Sequence, residues 1–181
     1  MRSLLARKAI ERMSARYGAD NSYLFYLLRE SPDAFWRFMR AGGMSRHRER
    51  VPAEASLTAQ LVVAMYEDCG PCTQLFVRFA VDAKIPQNQI EAILSRNLTA
   101  MSSEVELAYR YATAVLNRDA DADNLRASVR KLWGEKGLID LAMAMQGARL
   151  YPMMKNALGY ALTCQRVQVG DRWVTIEKHI T

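Results

Sequence analysis

The stretch Leu61-Val62-Val63-Ala64-Met65-Tyr66-Glu67-Asp68-Cys69-Gly70-Pro71-Cys72 decides the fold. An apolar run that feeds a Cys-x-x-Cys allows two structures. Either a buried strand leads into a helix, or one helix ends and another begins. The dithiol motif is common to both, so the flanking sequence has to choose.

On both sides the flanks repeat at helical spacing. Leu5, Ala9, Met13 and Tyr17 recur every fourth residue and stop at Gly18. Asp20 is a capping residue for a short apolar helix containing Tyr23, Leu24, Leu27 and Leu28. Ser31-Pro32-Asp33 supplies a cap, a first-turn proline and a first-turn acid. The helix they start carries Phe35, Trp36 and Met39 and ends at Gly42-Gly43. Pro52 opens a helix with Leu57, Leu61 and Met65 on one face, running into the motif. After the motif, Leu75, Phe76, Phe79, Ala80 and Ala83 follow helical spacing until Ile85-Pro86. A shorter helix then spans 87–95.

Ser103-Glu104-Val105-Glu106 has the capping-box pattern, ahead of Ala108, Tyr111, Ala112 and Val115. Asp123 is placed to cap a helix from Leu125 to Trp133, which Gly134 ends. Leu138 to Leu162 is a long apolar segment, and Pro152 inside it is expected to kink or break it. Near the end, Val167 and Val169 alternate with polar residues, Gly170-Asp171 follows, and Val174 and Ile176 alternate again. That pattern is a β-hairpin, which needs a surface to pack on. The expectation is one all-α domain over 1–181: N-terminal helices in 1–50, a core in 52–95 holding the motif, C-terminal helices in 103–163, and a short hairpin in 166–177.

A thioredoxin-like sheet is thereby excluded. It requires further strands around the motif and a proline facing the cysteines from a downstream strand. The strands are missing, and the only proline after Pro86 is Pro152, within a helical pattern.

Composition narrows the function classes. Half of the 181 residues are apolar and 24% are charged, as in a chain with a packed core. No apolar run is long enough for a membrane span. Charged residues interrupt the N-terminal segment, which reads as an amphipathic helix and not as a signal peptide. Net charge is +6, and the densest basic stretch is Arg46-His47-Arg48-Glu49-Arg50. It contains no aromatic residue to stack on bases, so nucleic acid is not an expected partner. Three cysteines, two of them in one Cys-x-x-Cys, do not make a secreted disulfide framework. They point to the cytoplasm and to redox or metal chemistry. A metal centre would need more ligands than His47 and His179 add, so no metal and no cofactor is expected.

The chemistry therefore falls on the dithiol. Cys69 and Cys72, three apart, share a helix face. Gly70-Pro71 suits a helix start, whose free N–H groups and dipole stabilise a thiolate at Cys69. Cys69 is then the attacking thiol and Cys72 the resolving one. Glu67 is the candidate base, with Asp68 beside it; their negative charge also opposes thiolate formation. Phe76 and Phe79, with Met65 and Tyr66, are candidates to line an apolar pocket over the thiols. Arg149 and Tyr151 are polar groups in apolar company, and Cys164 is a candidate core residue.

A Cys-x-x-Cys at a helix start in an all-α chain of this size resembles the alkylhydroperoxidase D-like group of the carboxymuconolactone decarboxylase superfamily. The matching region is about 52–94: Leu57-Thr58-Ala59-Gln60-Leu61-Val62-Val63-Ala64, then Cys69-Gly70-Pro71-Cys72, a helix with Ala80, Ile85-Pro86, and Gln89-Ile90-Glu91-Ala92-Ile93-Leu94. The resemblance implies a helical bundle that forms homo-oligomers. It also implies a dithiol that reduces hydroperoxides or exchanges electrons with a disulfide-reducing partner protein. Redox members carry a histidine four residues past the second cysteine, where this chain has Phe76. They carry a glutamate about three turns before the first, where it has Leu57, and some have a histidine at the place of Pro71. Two other functions stand beside this one, the first motivated by those departures. One is a non-catalytic or ligand-binding member with structural cysteines; the other is a decarboxylase- or hydrolase-like enzyme using Glu67 and Arg78.

Overall fold

A computed structural model describes residues 2–161 and 166–177. Cys164 and His179, and with them the expected end of the last helix at Leu162, lie outside the described residues. Eight α-helices are present among those described: α1 (Arg2–Tyr17), α2 (Ser22–Glu30), α3 (Pro32–Gly42), α4 (Ala53–Tyr66), α5 (Gly70–Asp82), α6 (Gln87–Leu94), α7 (Ser103–Asn117) and α8 (Ala122–Ala157). Single 3-10 turns occupy Gly43–Arg46 and Leu98–Ala100, and the chain closes with strands β1 (Arg166–Val169) and β2 (Arg172–Thr175). The expected mostly helical architecture with a C-terminal hairpin is thus present.

Helix α4 is the centre. Every residue from Thr58 to Ala64 is buried, and the helix packs against α5, α7 and α8. A helix apolar on nearly all sides has no solvent face to offer, which is why Leu61–Tyr66 resembled a strand in isolation. It ends in a Schellman motif. Asp68 adopts φ 48°, its N–H donates to Met65 O, and Cys69 N–H donates to Ala64 O. That turn delivers Cys69 directly to the N-cap of α5.

Two apolar clusters form. The larger joins α4–α8 and the hairpin; the smaller joins α1, α2 and α3 around Leu24, Phe35 and Phe38, with Leu150, Tyr151 and Met154 of α8 packed against it. The hairpin packs on the body. Val167 and Val169 are fully buried, contributing about 1.5–3 kcal/mol each. The side chain of Gln74 exchanges two hydrogen bonds with the backbone of Gln168 (2.7 and 2.9 Å), as a neighbouring strand would.

Four local expectations need correction. The inward-facing stripe of α1 is Ala6 and Ile10, which are buried, with Met13 and Tyr17, which are half-buried, while Leu5 is exposed. Spacings of four, three and four fit a 3.6-residue period better than strict fours. Ser102, not Ser103, is the N-cap of α7 and makes no side-chain cap bond. Instead, Gln89 Oε1 accepts from Ser102 N–H (2.8 Å), and Glu106 pairs with Arg110. At α2 and α8 the caps are Asn21 and Asp121, although Asp20 Oδ1 still accepts from Ser22 N–H at 2.9 Å. Finally, Pro152 does not break α8, which runs on to Ala157; the interruption is at Gly134 (φ 72°, ψ −173°), where the sequence placed a stop.

Candidate functional site

Cys69 and Cys72 are joined by a disulfide, with Cα atoms 5.2 Å apart. Cys69 is the N-cap of α5, Pro71 lies in its first turn, and Cys72 N–H donates to Cys69 Sγ at 3.3 Å. Thr73 N–H and Oγ1 both donate to Cys69 O. The local rule for Gly-Pro between two cysteines is therefore met: proline costs no hydrogen bond in the first turn. Both cysteines are almost fully buried (2% and 3% exposed), but they differ in surroundings. Cys72 lines a cavity of about 580 Å³; Cys69 does not.

The cavity lies at the seam between the two apolar clusters and is walled by α1–α5, α8 and the turn Gly43–Arg46. Its volume falls in the roughly 300–1,000 Å³ range of small-molecule sites. Leu57, Leu75, Phe76 and Phe79 give an apolar wall beside Cys72. Leu57 and Phe76, the two positions without the expected glutamate and histidine, thus both face this space. Met65 and Tyr66, expected over the thiols, are not in its wall.

The lining also has polar members. Gln60 is buried and donates to Ser45 O (3.2 Å) and Ser56 Oγ (3.4 Å). Tyr151 faces the cavity, and burial holds its hydroxyl in the protonated form by raising its pKa. Lys155 is 5% exposed; burial lowers its pKa, and nearby Asp20 only partly opposes that. Arg46 and Arg48 complete the wall, so part of the basic stretch belongs to this site.

That stretch is held by a residue the sequence did not single out. Asp140 of α8 is completely buried, and its carboxylate accepts the backbone N–H groups of Glu49, Arg50 and Val51 at 2.7–3.0 Å. Burial alone would raise its pKa, but these bonds, with His47 at 3.6 Å, leave it lowered. Gly147 lets the preceding turn approach α8, since a Cβ there would lie 2.8 Å from Ser45 Cα. The only signal for Asp140 was an acid on an otherwise apolar helix face.

Glu67 is the C-cap of α4, and its Oε1 lies 2.7 Å from Arg149 Nε. It is outside the cavity wall, as is Asp68. Arg78 lies against Gly18 at the end of α1, so the cation paired with Glu67 is Arg149 and not Arg78. Among the described residues no cluster of three or more His, Cys, Asp or Glu side chains is arranged to hold a metal ion. No helix among them is long and apolar enough to cross a membrane.

These features define a class: a helical protein with a Cys-x-x-Cys pair at a helix N-terminus, beside a cavity lined by apolar and cationic side chains. The sequence matches no protein-family model and no curated protein.

Proposed function

We propose that this chain is a thiol–disulfide redox protein of the alkylhydroperoxidase D-like kind, reducing hydroperoxides with the Cys69–Cys72 dithiol. The observation that carries the reading is the pair's position: one sulfur capped by the helix start, the other on a substrate-sized cavity. In this scheme the roles expected from spacing alone are exchanged. The Cys72 thiolate attacks the distal oxygen of R–OOH; the O–O bond breaks, and the alkoxide takes a proton to leave as ROH. Cys72 becomes a sulfenic acid. The Cys69 thiolate, stabilised by the helix start, attacks that sulfur, and hydroxide leaves as water after taking a proton. Two electrons from a dithiol of a reducing partner protein then restore the pair. Glu67, two residues before Cys69, is the candidate base for its thiol. Assembly as a homo-oligomer and a cytoplasmic setting belong to the same proposal.

A second reading is favoured by the near-complete burial of both sulfurs and by Leu57 and Phe76: a ligand-binding protein with a structural disulfide. Turnover of an alkyl hydroperoxide with a small dithiol reductant separates the two. Wild type turning over, with Cys69→Ser and Cys72→Ser both inactive, supports the redox protein. Wild-type turnover no faster than that of the Cys69→Ser/Cys72→Ser double variant overturns it.

A further inference from the structure

The redox scheme leaves Lys155 without a task, yet of the charged side chains in the cavity wall it is the one that is nearly fully buried. Its ammonium donates to the backbone oxygen of Asp20 at 3.0 Å and stands 5.1 Å from the centre of the Tyr23 ring. A lysine has three N–H donors, and these contacts direct one of them to an acceptor. Among the described residues no carboxylate is within ion-pair distance; Asp20 turns its own carboxylate to Ser22. With only the more distant charge of Asp20 to offset it, this buried cation is unfavourable, and an anion entering the cavity would relieve that.

The rest of the wall agrees. Arg46 and Arg48 line it, and not one aspartate or glutamate does. Arg48 spends one N–H on Val51 O, and Arg46 pairs with no carboxylate among the described residues. A different element, α5, supplies Leu75, Phe76 and Phe79 together with Cys72. The lining therefore offers cations for a negative head and apolar side chains for a chain.

We propose that the cavity binds an aliphatic carboxylate, its head held by Lys155 and Arg46 and its chain along Phe76 and Phe79 to Cys72. The inference rests on this cavity being the substrate chamber of the dithiol, and it then assigns the substrate class: a fatty-acid hydroperoxide in place of a neutral alkyl hydroperoxide.

The test is calorimetric titration of the oxidised full chain with decanoate and with decan-1-ol, in the absence of peroxide and reductant. Decanoate is expected to bind at least about tenfold more tightly than the alcohol, the size of a charged hydrogen bond. Lys155→Met brings the two affinities together, and Arg46→Gln, at an exposed position, lowers their ratio. Should Lys155→Met fail to fold by circular dichroism, Lys155→Gln and Arg46→Gln carry the comparison. Equal affinities in wild type, no binding of either compound, or a ratio unchanged in the variants overturns the proposal. Failure of the redox reading appears separately, as absent peroxide turnover with decanoate binding intact.

Discussion

The backbone N–H of Cys72 points at the sulfur of Cys69, 3.3 Å away. A motif four residues long therefore contains its own donor for a thiolate, with the α5 macrodipole behind it. In the reduced Cys72→Ser protein, Cys69 should hold more thiolate at neutral pH than free cysteine does. Ultraviolet thiolate absorbance followed through a pH titration checks this. A titration like that of free cysteine would mean that the helix start contributes nothing to the site's chemistry.

The cavity wall includes Cys72 and omits Cys69. Oxidation follows thiolate character and access, and access here favours the second sulfur. Exposed to a small hydroperoxide, Cys69→Ser should form a dimedone-trappable sulfenic acid at Cys72. The yield should be at least about tenfold above that at Cys69 in Cys72→Ser. Mass spectrometry of the adducts gives the ratio. The reverse ratio would restore Cys69 as the attacking thiol.

The legible parts of this protein were local. Ser31-Pro32, Pro52 and Gly70-Pro71 mark helix starts because caps and first-turn prolines act within a few residues. The disulfide pair was legible for the same reason. Four other helix ends carried no glycine: Asp68, Lys84, Arg96 and Arg118 all take positive φ. Glycine is the usual marker of that conformation, and of these four only Asp68 is a type that visits it with any ease, so the residue types did not announce these ends. The cavity was legible only in part: Phe76 and Phe79 were expected to line a pocket over the thiols and do, whereas Gln60, Cys72 and Lys155 meet only through the packing of α4, α5 and α8. Leu57 and Phe76 were noticed as departures from a pattern; that they share a wall beside Cys72 required the fold.

Asp140 joins α8 to the loop that carries Arg48, so its charge state should govern that loop. Its folded-state pKa is lowered, so it contributes stability at pH values above the ordinary carboxylate range, about 3.9. That stability is lost as pH falls through the lowered folded-state value. Asp140→Asn should cost about 2–3 kcal/mol at neutral pH, from weakened charge-assisted bonds to three N–H groups. It should also flatten the acid limb of the stability curve. Urea unfolding at a series of pH values measures both effects, and hydrogen exchange at Glu49, Arg50 and Val51 should accelerate in the variant. Unchanged exchange at these three amides would show that Asp140 does not hold the loop.

Lys155 gives the same sign of pH dependence for the opposite reason: burial disfavours its charged form, whereas hydrogen bonds favour that of Asp140. Its pKa is lowered by burial, so between that lowered value and its unfolded value, about 10.4, the unfolded chain binds more protons. Stability attributable to Lys155 therefore rises with pH across that window, as the buried ammonium gives up its proton. The free-energy difference between wild type and Lys155→Met, measured by urea unfolding, should move toward wild type from neutral pH to about pH 10. Taking the difference cancels the tyrosines, whose titration is common to both proteins. Saturating decanoate should hold the ammonium charged and move the rise in wild-type stability to higher pH, leaving Lys155→Met unaffected. A pH-independent difference would mean that the ammonium of Lys155 reaches water, removing the reason for an anion to bind beside it.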